Sequence, residues 1–244
     1  MKHLFAIAIG VICVLGLAGG AVAEEKAAAP AKKIEMKSCT LPGLPPESLC
    51  GTYEVWENRA ARTGRKIPLR VVVIPALGTD KLSDPFVFFT GGPGDSSVEA
   101  GGWISQELKD LRQRRDIFLV DYRGTGGSNP LNCPELQGSQ GVQGFLDDFL
   151  PVDKIRRCAE DLGKKFDLTQ YTSDAAIDDI DEVRAALGYD RINLLGGSYG
   201  SRAALIYLRR HPSGCARRSS RAPSPRTSSA RSAWRGAPRT PSMA

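Results

Sequence analysis

Histidine is scarce in this sequence, with two copies among 244 residues, His3 and His211. The six cysteines form no Cys-x-x-Cys pair. Zinc sites of the common kinds need clustered histidines or closely spaced cysteine pairs. The sequence therefore predicts no metal site, and no motif in it implies an organic cofactor.

Acidic residues are absent after Asp190, and this absence explains the basic balance of the chain. The overall charge is +6, but residues 214–244 hold seven arginines and alone carry +7, which leaves about −1 for the other 213 residues. Nucleic-acid binding needs a basic surface on the folded domain itself. The charge pattern thus excludes nucleic acid as an expected partner.

Long apolar runs are missing apart from one at the amino terminus. Lys2 precedes an apolar stretch over Leu4–Leu17, and a small-x-small site ends at Ala23, so residues 1–23 have the pattern of a secretory signal peptide. The stretch is shorter than the roughly 20 residues that span a bilayer. We expect cleavage after Ala23, export to the periplasm or the extracellular space, and no stable membrane span afterwards. Lipid attachment at Cys13 is the minor alternative, because a bulky residue precedes that cysteine.

Composition divides the remaining chain into three parts. Residues 24–38 form a polar spacer of mostly Ala, Lys and Glu, with too little apolar content to pack. Residues 39–213 are long enough for one domain with a core of its own. In residues 214–244, 24 of 31 positions are Arg, Ser, Ala or Pro, so we expect a disordered tail.

Disulfides are expected in an exported domain, where the compartment is oxidising. Four of its cysteines are the candidates for two bridges, with three possible pairings: Cys39, Cys50, Cys133 and Cys158. Closeness in sequence favours Cys39 with Cys50 and Cys133 with Cys158.

The first half of the domain is rich in strand patterns. Thr52–Glu57 and Lys66–Ile74 flank a glycine-containing turn and predict an antiparallel hairpin. Phe86–Phe89 and Ile117–Val120 are wholly apolar, which is typical of strands buried on both faces. A helix predicted over Trp103–Leu111 between them makes the two strands a parallel unit.

The second half continues the alternation of helix and strand. Apolar residues recur at helical spacing from Ile177 to Leu187, and Gly188 follows where a left-handed C-terminal cap belongs. A strand over Ile192–Leu195 and a helix over Ala203–Arg210 come next. This order indicates an α/β fold with a mostly parallel sheet and flanking helices.

A sharp turn with a serine joins that last strand to that last helix. Gly196, Gly197, Ser198, Tyr199 and Gly200 match Gly-x-Ser-x-Gly, in which the serine is strained and exposed as a nucleophile. Two other interpretations exist: a serine that only caps the helix, and a phosphate-binding turn. The Lys and Ser or Thr of a phosphate loop are absent after this strand, which favours the nucleophile.

A second glycine-rich segment, Gly91-Gly92-Pro93-Gly94, follows the strand Phe86–Phe89. The oxyanion of an acyl-transfer reaction needs two backbone donors from different segments. We predict that these donors are the N–H groups of Gly92 and Tyr199. The alternative is that the segment is a simple turn.

Three ordered blocks resemble the prolyl and tripeptidyl aminopeptidase branch of the α/β-hydrolases: Gly91–Gly94, Asp121–Ser128 and Gly196–Ser201. The resemblance implies an exported serine hydrolase that releases N-terminal residues or short peptides from a peptide substrate, or acts on a small ester or amide, through an acyl-enzyme on Ser198. It also implies that Asp121 and Arg123 are structural residues that brace the loops. Thr90 stands where prolyl aminopeptidases usually have His, which favours the secreted tripeptidyl type, as does the pair Cys133 and Cys158 around an insertion.

The acid and the base of such an enzyme are not found in this chain. In this fold the triad runs Ser, Asp or Glu, then His, yet no acidic residue follows Ser198. His211 lies 13 residues beyond Ser198 at the far end of a helix, roughly 20 Å away, and a base must be within about 3 Å. We therefore expect only the N-terminal part of an α/β-hydrolase fold, without its later strands and lid, and an inactive chain.

The tail supports the same expectation. If the reading frame is shifted to begin at the third base of each codon, the bases that encode Ser213 to Arg221 are compatible with a further apolar strand. The tail is therefore expected to be out of frame. Two other functions stay open: an esterase or lipase of the same fold, and a secreted binding protein without catalysis. The oligomeric state is not indicated by the sequence.

Overall fold

The computed structural model describes residues 33–136, 148 and 151–216. The predicted signal peptide, most of the spacer and nearly all of the arginine-rich tail lie outside the described residues. Within the described ranges, no helix has both the length and the apolar character that crossing a bilayer requires.

A mixed sheet of six strands forms the centre of the described region. In chain order the strands are β1 (Lys37–Ser38), β2 (Leu49–Trp56), β3 (Lys66–Ile74), β4 (Phe86–Phe89), β5 (Ile117–Val120) and β6 (Asn193–Gly196). Their order across the sheet is β1-β2-β3-β5-β4-β6. β2 and β3 pair in antiparallel fashion as the predicted hairpin, β3 and β5 are also antiparallel, and β5, β4 and β6 are mutually parallel.

Helices cover both faces of the sheet. The α-helices of the described region are α1 (Gly101–Glu107), α2 (Val152–Gly163), α3 (Ser173–Ala186) and α4 (Tyr199–Arg210), of which α1, α3 and α4 pack on the sheet. On one face, Ile104 of α1 packs in a cluster with Val72, Ile74, Ile117 and Leu119. On the other face, apolar residues of α3 and α4 pack against the alternate residues of the same strands. The central strands are therefore buried on both sides, as their wholly apolar sequences predict.

The helix predicted over Trp103–Leu111 differs from α1. The helix begins at Gly101 and ends at Glu107, and Leu111 lies in a separate short turn. Ile104 is buried, whereas the side chains of Trp103 and Leu111 are 58% and 45% exposed. Trp103, Ile104, Leu108 and Leu111, the large apolar residues of this segment, therefore do not share one buried face. Leu111 departs from the face of Ile104 because the backbone leaves the helical conformation at Leu108, where φ is −95° and ψ is 18°.

The packed region extends a few residues beyond the boundaries at Cys39 and 213 that composition suggested. Ile34 and Met36 lie two residues apart and pack against the core on the side of β2. At the other end, the Ile192 N–H donates to the carbonyl of Gly214 at 2.9 Å, and the Ala216 N–H donates back to Ile192 at 2.8 Å. The second extension follows because β6 lies at the edge of the sheet, where the neighbouring chain satisfies free backbone groups.

Two disulfides join segments of the domain. Cys39 pairs with Cys50 across β1 and β2, and Cys133 pairs with Cys158 of α2. These are the pairings that closeness in sequence favours. The second bridge fixes a helix rich in charged residues, in which Cys158 is the buried side chain.

Removing the Cys133–Cys158 bridge is expected to lower the free energy of unfolding by about 3 kcal/mol, because the bridge closes a 25-residue loop and restricts the unfolded chain. The Cys133→Ser/Cys158→Ser variant and the parent chain should be compared by urea unfolding. Cys215→Ser is the matched control, since Cys215 is the unbridged cysteine of the described region. Equal stability of parent and double variant would contradict the expectation.

Candidate active site

Ser198 lies at the turn between β6 and α4 in a strained backbone conformation. Its φ is 51° and its ψ is −122°, a region that non-glycine residues rarely adopt. Hydrogen bonds hold the turn: the Gly200 N–H donates to Gly197 at 2.7 Å, and the Ser201 N–H donates to Ser198 at 3.0 Å. The residue itself is exposed. The turn therefore presents the serine hydroxyl to solvent at the carboxyl end of the parallel strands.

The three glycines of this turn differ in the space available for a Cβ atom. A Cβ atom at Gly196 would overlap the carbonyl oxygen of Gly200, and one at Gly200 would overlap the carbonyl oxygen of Phe89. A Cβ atom at Gly197 would have no neighbour within 4 Å. Gly196 and Gly200 thus allow β4, β6 and α4 to approach one another, whereas Gly197 has open space around it.

The glycine-rich loop after β4 borders Ser198 directly. A Cβ atom built on Gly91 would lie 3.3 Å from the Cβ of Ser198 and 3.8 Å from its Oγ. Gly92 has a φ of +49°, a conformation that favours glycine. Tyr199 begins α4, where free N–H groups and the helix dipole favour negative charge. The two predicted oxyanion donors, Gly92 and Tyr199, therefore belong to the two segments on either side of the serine.

Asp121 is fully buried directly after β5 and ties the loops around the site together. Its carboxylate accepts hydrogen bonds from the hydroxyl of Ser96 at 2.7 Å and from the N–H groups of Val98 at 3.0 Å and Gly127 at 2.8 Å. The Arg70 guanidinium pairs with it at 2.7 Å. The carboxylate thereby holds the end of the glycine-rich loop against the loop after β5.

Arg123 is also buried, and all five of its N–H groups have acceptors. Two of them reach both oxygens of Asp179 on α3, at 2.7 and 2.8 Å. The others donate to the backbone carbonyls of Trp56, Glu57 and Gln170. Asp179 accepts a further bond from Arg59 at 2.5 Å. The pair of Arg123 and Asp179 therefore joins β2, the loop after β5 and α3.

A family model described as the α/β hydrolase fold matches residues 84–238. The chain belongs to the α/β-hydrolase family. The match includes the glycine-rich loop, Asp121 and the turn at Ser198, and these are the blocks on which the sequence resemblance depends.

Two of the curated relatives of this α/β-hydrolase carry peptidase names. Serine protease Hip1 of Mycobacterium tuberculosis is 29% identical over 86% of this chain and 43% of its own length. Tripeptidyl aminopeptidase of Streptomyces lividans is 28% identical over 78% of this chain and 37% of its own length. The solved proline iminopeptidase of Mycobacterium smegmatis is 19% identical, with a TM-score of 0.41, over 67% of this chain and 41% of that one. The chain thus spans less than half the length of the curated relatives it matches.

The histidine in the described part of this α/β-hydrolase lies away from Ser198. His211 follows the last residue of α4 and lies 13 residues beyond Ser198, roughly 20 Å along the helix axis. Its ring contacts two carboxylates of α3, with Nε2 2.9 Å from Asp178 and Nδ1 3.3 Å from Asp181. His211 therefore joins α4 to α3 and is not positioned to take a proton from Ser198.

A cleft lined by three tyrosines is the part of the site that sequence reasoning missed. Tyr122, Tyr171 and Tyr199 contribute to its walls, together with Gly94 of the glycine-rich loop. Tyr122 and Tyr199 contact each other edge to face, with ring centroids 6.1 Å apart. The three residues come from three separate segments, and the one available signal was the position of Tyr199 next to the serine.

The histidine contact makes the stability of this α/β-hydrolase dependent on pH. Burial raises the pKa of Asp178, but hydrogen bonds from His211 and Arg210 outweigh it and hold the pKa well below its ordinary value. A lowered folded-state pKa stabilises the fold above the unfolded-state pKa, and that stabilisation disappears as pH falls through the folded-state value.

Asp178→Asn is therefore expected to lower the free energy of unfolding by about 2 kcal/mol at pH 6 and by much less at pH 2. Chemical unfolding at both pH values measures the difference. Asp190→Asn, whose side chain is 93% exposed, is the control with no expected effect. If Asp178→Asn lowers the free energy of unfolding equally at both pH values, the result would contradict the lowered pKa of Asp178.

Proposed function

We propose that this chain carries the nucleophile of an exported serine peptidase that removes N-terminal residues or short peptides. The observation that carries the proposal is the turn at Ser198, which holds an exposed serine in strained backbone beside a glycine-rich loop. The peptidase names of the relatives support this substrate class.

The reaction would begin with attack of the Ser198 Oγ on the carbonyl carbon of the substrate. The negative charge that develops on the carbonyl oxygen would be stabilised by the N–H groups of Gly92 and Tyr199 and by the dipole of α4. The carbon–nitrogen bond breaks, the amine leaves with the serine proton, and an acyl ester remains on Ser198. Water then hydrolyses the ester and restores the serine.

The proton transfers need a base, and the described residues place none near Ser198. Asp121 is not this partner, because its carboxylate is fully buried and bound by Arg70 and by the loops. We therefore propose that the chain alone is inactive, and that the arginine-rich sequence from 214 onward is read out of frame from a segment that holds the acid and the histidine.

Sequencing the genomic locus past the codon of Pro212 tests the second part of this proposal. We expect an open continuation in another frame that encodes an acidic residue followed by histidine. A confirmed stop after Ala244 would instead favour a secreted protein that binds without catalysis.

In the enzyme produced from that continued frame, Ser198→Ala should reduce hydrolysis of tripeptide anilides by about 10⁴-fold or more, because the nucleophile is lost. Ser38→Ala, an exposed serine on the edge strand, is the matched control. A panel of short acyl esters beside the anilides separates a peptidase from an esterase. Turnover that survives Ser198→Ala, or any Ser198-dependent turnover by the 244-residue chain, would overturn the proposal.

Export can be tested on the enzyme produced from the continued frame. The proposed location is the periplasm or the extracellular space, so the mature protein should begin at Glu24. N-terminal mass analysis of the secreted fraction checks this expectation, and retention of Met1 would contradict it.

A further inference from the structure

A second pocket, of about 470 Å³, lies between α1 and the loop that the Cys39–Cys50 bridge closes. The proposed reaction of Ser198 does not use it. Apolar side chains form one part of its wall, namely those of Leu44, Pro45 and Leu77. Hydrogen-bonding side chains form the other part, namely those of Ser105, Gln106, Lys109 and Arg112. We name this site the Arg112 pocket.

The Arg112 pocket lies away from Ser198. The Leu77 N–H, shortly after the end of β3, donates to the carbonyl of Arg112 at 2.9 Å. The last residue of β3 pairs with the first residue of β5, so this part of the pocket lies at the amino end of β5. Ser198 follows β6, whose last residue pairs with the last residue of β4. Because β4, β5 and β6 are parallel, the pocket and the serine belong to opposite ends of the sheet.

The guanidinium of Arg112 has donors left over in this pocket. Its side chain is 6% exposed, its Nε donates to the carbonyl of Pro75 at 3.0 Å, and its Nη2 donates to Glu47. The Nη1 group has no acceptor in the described region, although buried polar groups normally have one. It is also not sealed inside the protein, because the enclosed side-chain atoms without a partner there are the hydroxyls of Ser97 and Tyr122. The Nη1 group therefore faces the pocket that Arg112 lines.

The charges around the pocket sum to about one positive charge. The hydrogen bond from Arg112 holds the pKa of Glu47 below its ordinary value, so Glu47 is ionised and neutralises the guanidinium. Lys109 is exposed and forms no ion pair with any residue that the structure describes. The described lining contains no acidic residue. An anion in the pocket would therefore gain both an opposite charge and open N–H donors.

We propose that the Arg112 pocket binds a small monocarboxylate that carries an apolar chain. The carboxylate accepts hydrogen bonds from the Nη1 group of Arg112 beside the charge of Lys109, and charge-assisted bonds of this kind are the strong ones. The chain packs against the apolar wall of Leu44, Pro45 and Leu77. A single negative charge matches the single net charge of the site, whereas a phosphate dianion would bring an unmatched charge close to Glu47. The inference does not depend on the proposed reaction of Ser198.

Binding of hexanoate to the 244-residue chain tests the proposal. Affinity is measured by saturation-transfer NMR, with hexanamide and acetate as comparison ligands. Hexanamide has the same chain and a neutral head group, so it should bind at least tenfold more weakly. Acetate lacks the chain and should bind at least fivefold more weakly. Equal binding of either comparison ligand, or no binding of hexanoate at about 10 mM, would overturn the proposal.

Single substitutions in the wall locate the binding. Lys109→Gln should weaken hexanoate about threefold and leave hexanamide unchanged, and Lys154→Gln, at an exposed lysine of α2, is its matched control. Leu77→Ser should also weaken hexanoate about threefold, with Leu205→Ser on the exposed side of α4 as its control.

Arg112→Lys keeps the charge and removes the Nη1 group, so it should weaken hexanoate at least tenfold. Circular dichroism shows whether this variant is folded. If it is not, Lys109→Gln and Leu77→Ser decide, and unchanged hexanoate affinity in either of them overturns the proposal.

Ser198→Ala separates this site from the active site. Because the two lie at opposite ends of the sheet, the variant should bind hexanoate as tightly as the parent chain does. Loss of binding would place the carboxylate at the serine and overturn the proposal. The proposed reaction is tested by turnover alone, so a failure of either proposal leaves the other standing.

Discussion

Gly200→Ala should destabilise the domain by at least about 3 kcal/mol, the largest effect expected of any single methyl group in the site. The added Cβ atom would overlap the carbonyl oxygen of Phe89 and lie 2.8 Å from that of Thr90. Both obstacles are backbone atoms of β4 and the loop after it, so no side-chain rotation relieves the overlap. To accommodate the methyl group, α4 must move away from the sheet and break the contacts of Ala203 and Tyr207 with the core. Urea unfolding followed by circular dichroism measures the loss.

Gly197→Ala is the matched control for this prediction. It makes the same chemical change three residues earlier in the same turn, at a position where the new Cβ atom meets nothing within 4 Å. We expect a change in stability below about 1 kcal/mol. Equal losses for the two variants would show that the turn does not depend on the close approach of α4 to β4.

Asp121→Asn is expected to destabilise the domain by about 3 kcal/mol, because it removes the fully buried member of an ion pair whose other member, Arg70, is 30% exposed. The carboxylate has no exposed surface and accepts from Arg70, Ser96, Val98 and Gly127. An amide in its place would turn an NH₂ group toward groups that also donate, so at least one buried donor would lose its partner. The end of the glycine-rich loop and the loop after β5 should both become more protease-sensitive.

Asp153→Asn provides the comparison. Asp153 pairs with Arg156 on the surface of α2, where the two side chains are 83% and 66% exposed, and such pairs contribute little. The unfolding midpoint of the Asp153→Asn variant should match that of the parent chain. A similarly small effect of Asp121→Asn would mean that the buried carboxylate does not hold the loops.

The central strands were predictable because their surroundings are uniform. Phe86–Phe89 and Ile117–Val120 lie between two helical layers, so every residue is apolar and the run ends where burial ends. The strand over Lys66–Ile74 was equally predictable, since the sequence patterns of its partner strand and of the turn between them were both recognisable. The turn at Ser198 was predictable for a different reason. β4, β6 and α4 approach one another so closely there that a residue with a Cβ atom does not fit at Gly196 or Gly200.

Elements held by contacts rather than by pattern were not predictable. The short strand β1 is two exposed residues that gain regular structure by pairing with β2. Half of the residues of the helix α2 are charged, and the helix is fixed through the bridge from Cys158 to Cys133, a contact that lies outside its own sequence. Trp103 illustrates the reverse case, since its apolar side chain suggested burial although it is 58% exposed, with its ring centroid 6.0 Å from that of Phe88.

The surroundings of Ser198 divide in the same way. The serine and its glycines follow a local pattern, so sequence reasoning located them. The hydrogen bonds of Arg123 span 67 residues to Trp56 and 56 residues to Asp179, and the cleft lined by Tyr122, Tyr171 and Tyr199 likewise joins separate segments. Such contacts follow only from the three-dimensional arrangement of the sheet.

The strained backbone at Ser198 has a consequence for synthesis on the ribosome. The contacts that hold it come from β4, from the loop after β4 and from α4 itself, and none of the contacts described for it involves a residue beyond Ala216. The described contacts that set the backbone of the nucleophile therefore all lie in residues that are translated before position 217, so the turn can form once this part of the chain has left the ribosome. In an enzyme whose acid and base are encoded later, the order of translation keeps the serine in place but unreactive until the last part of the chain has emerged.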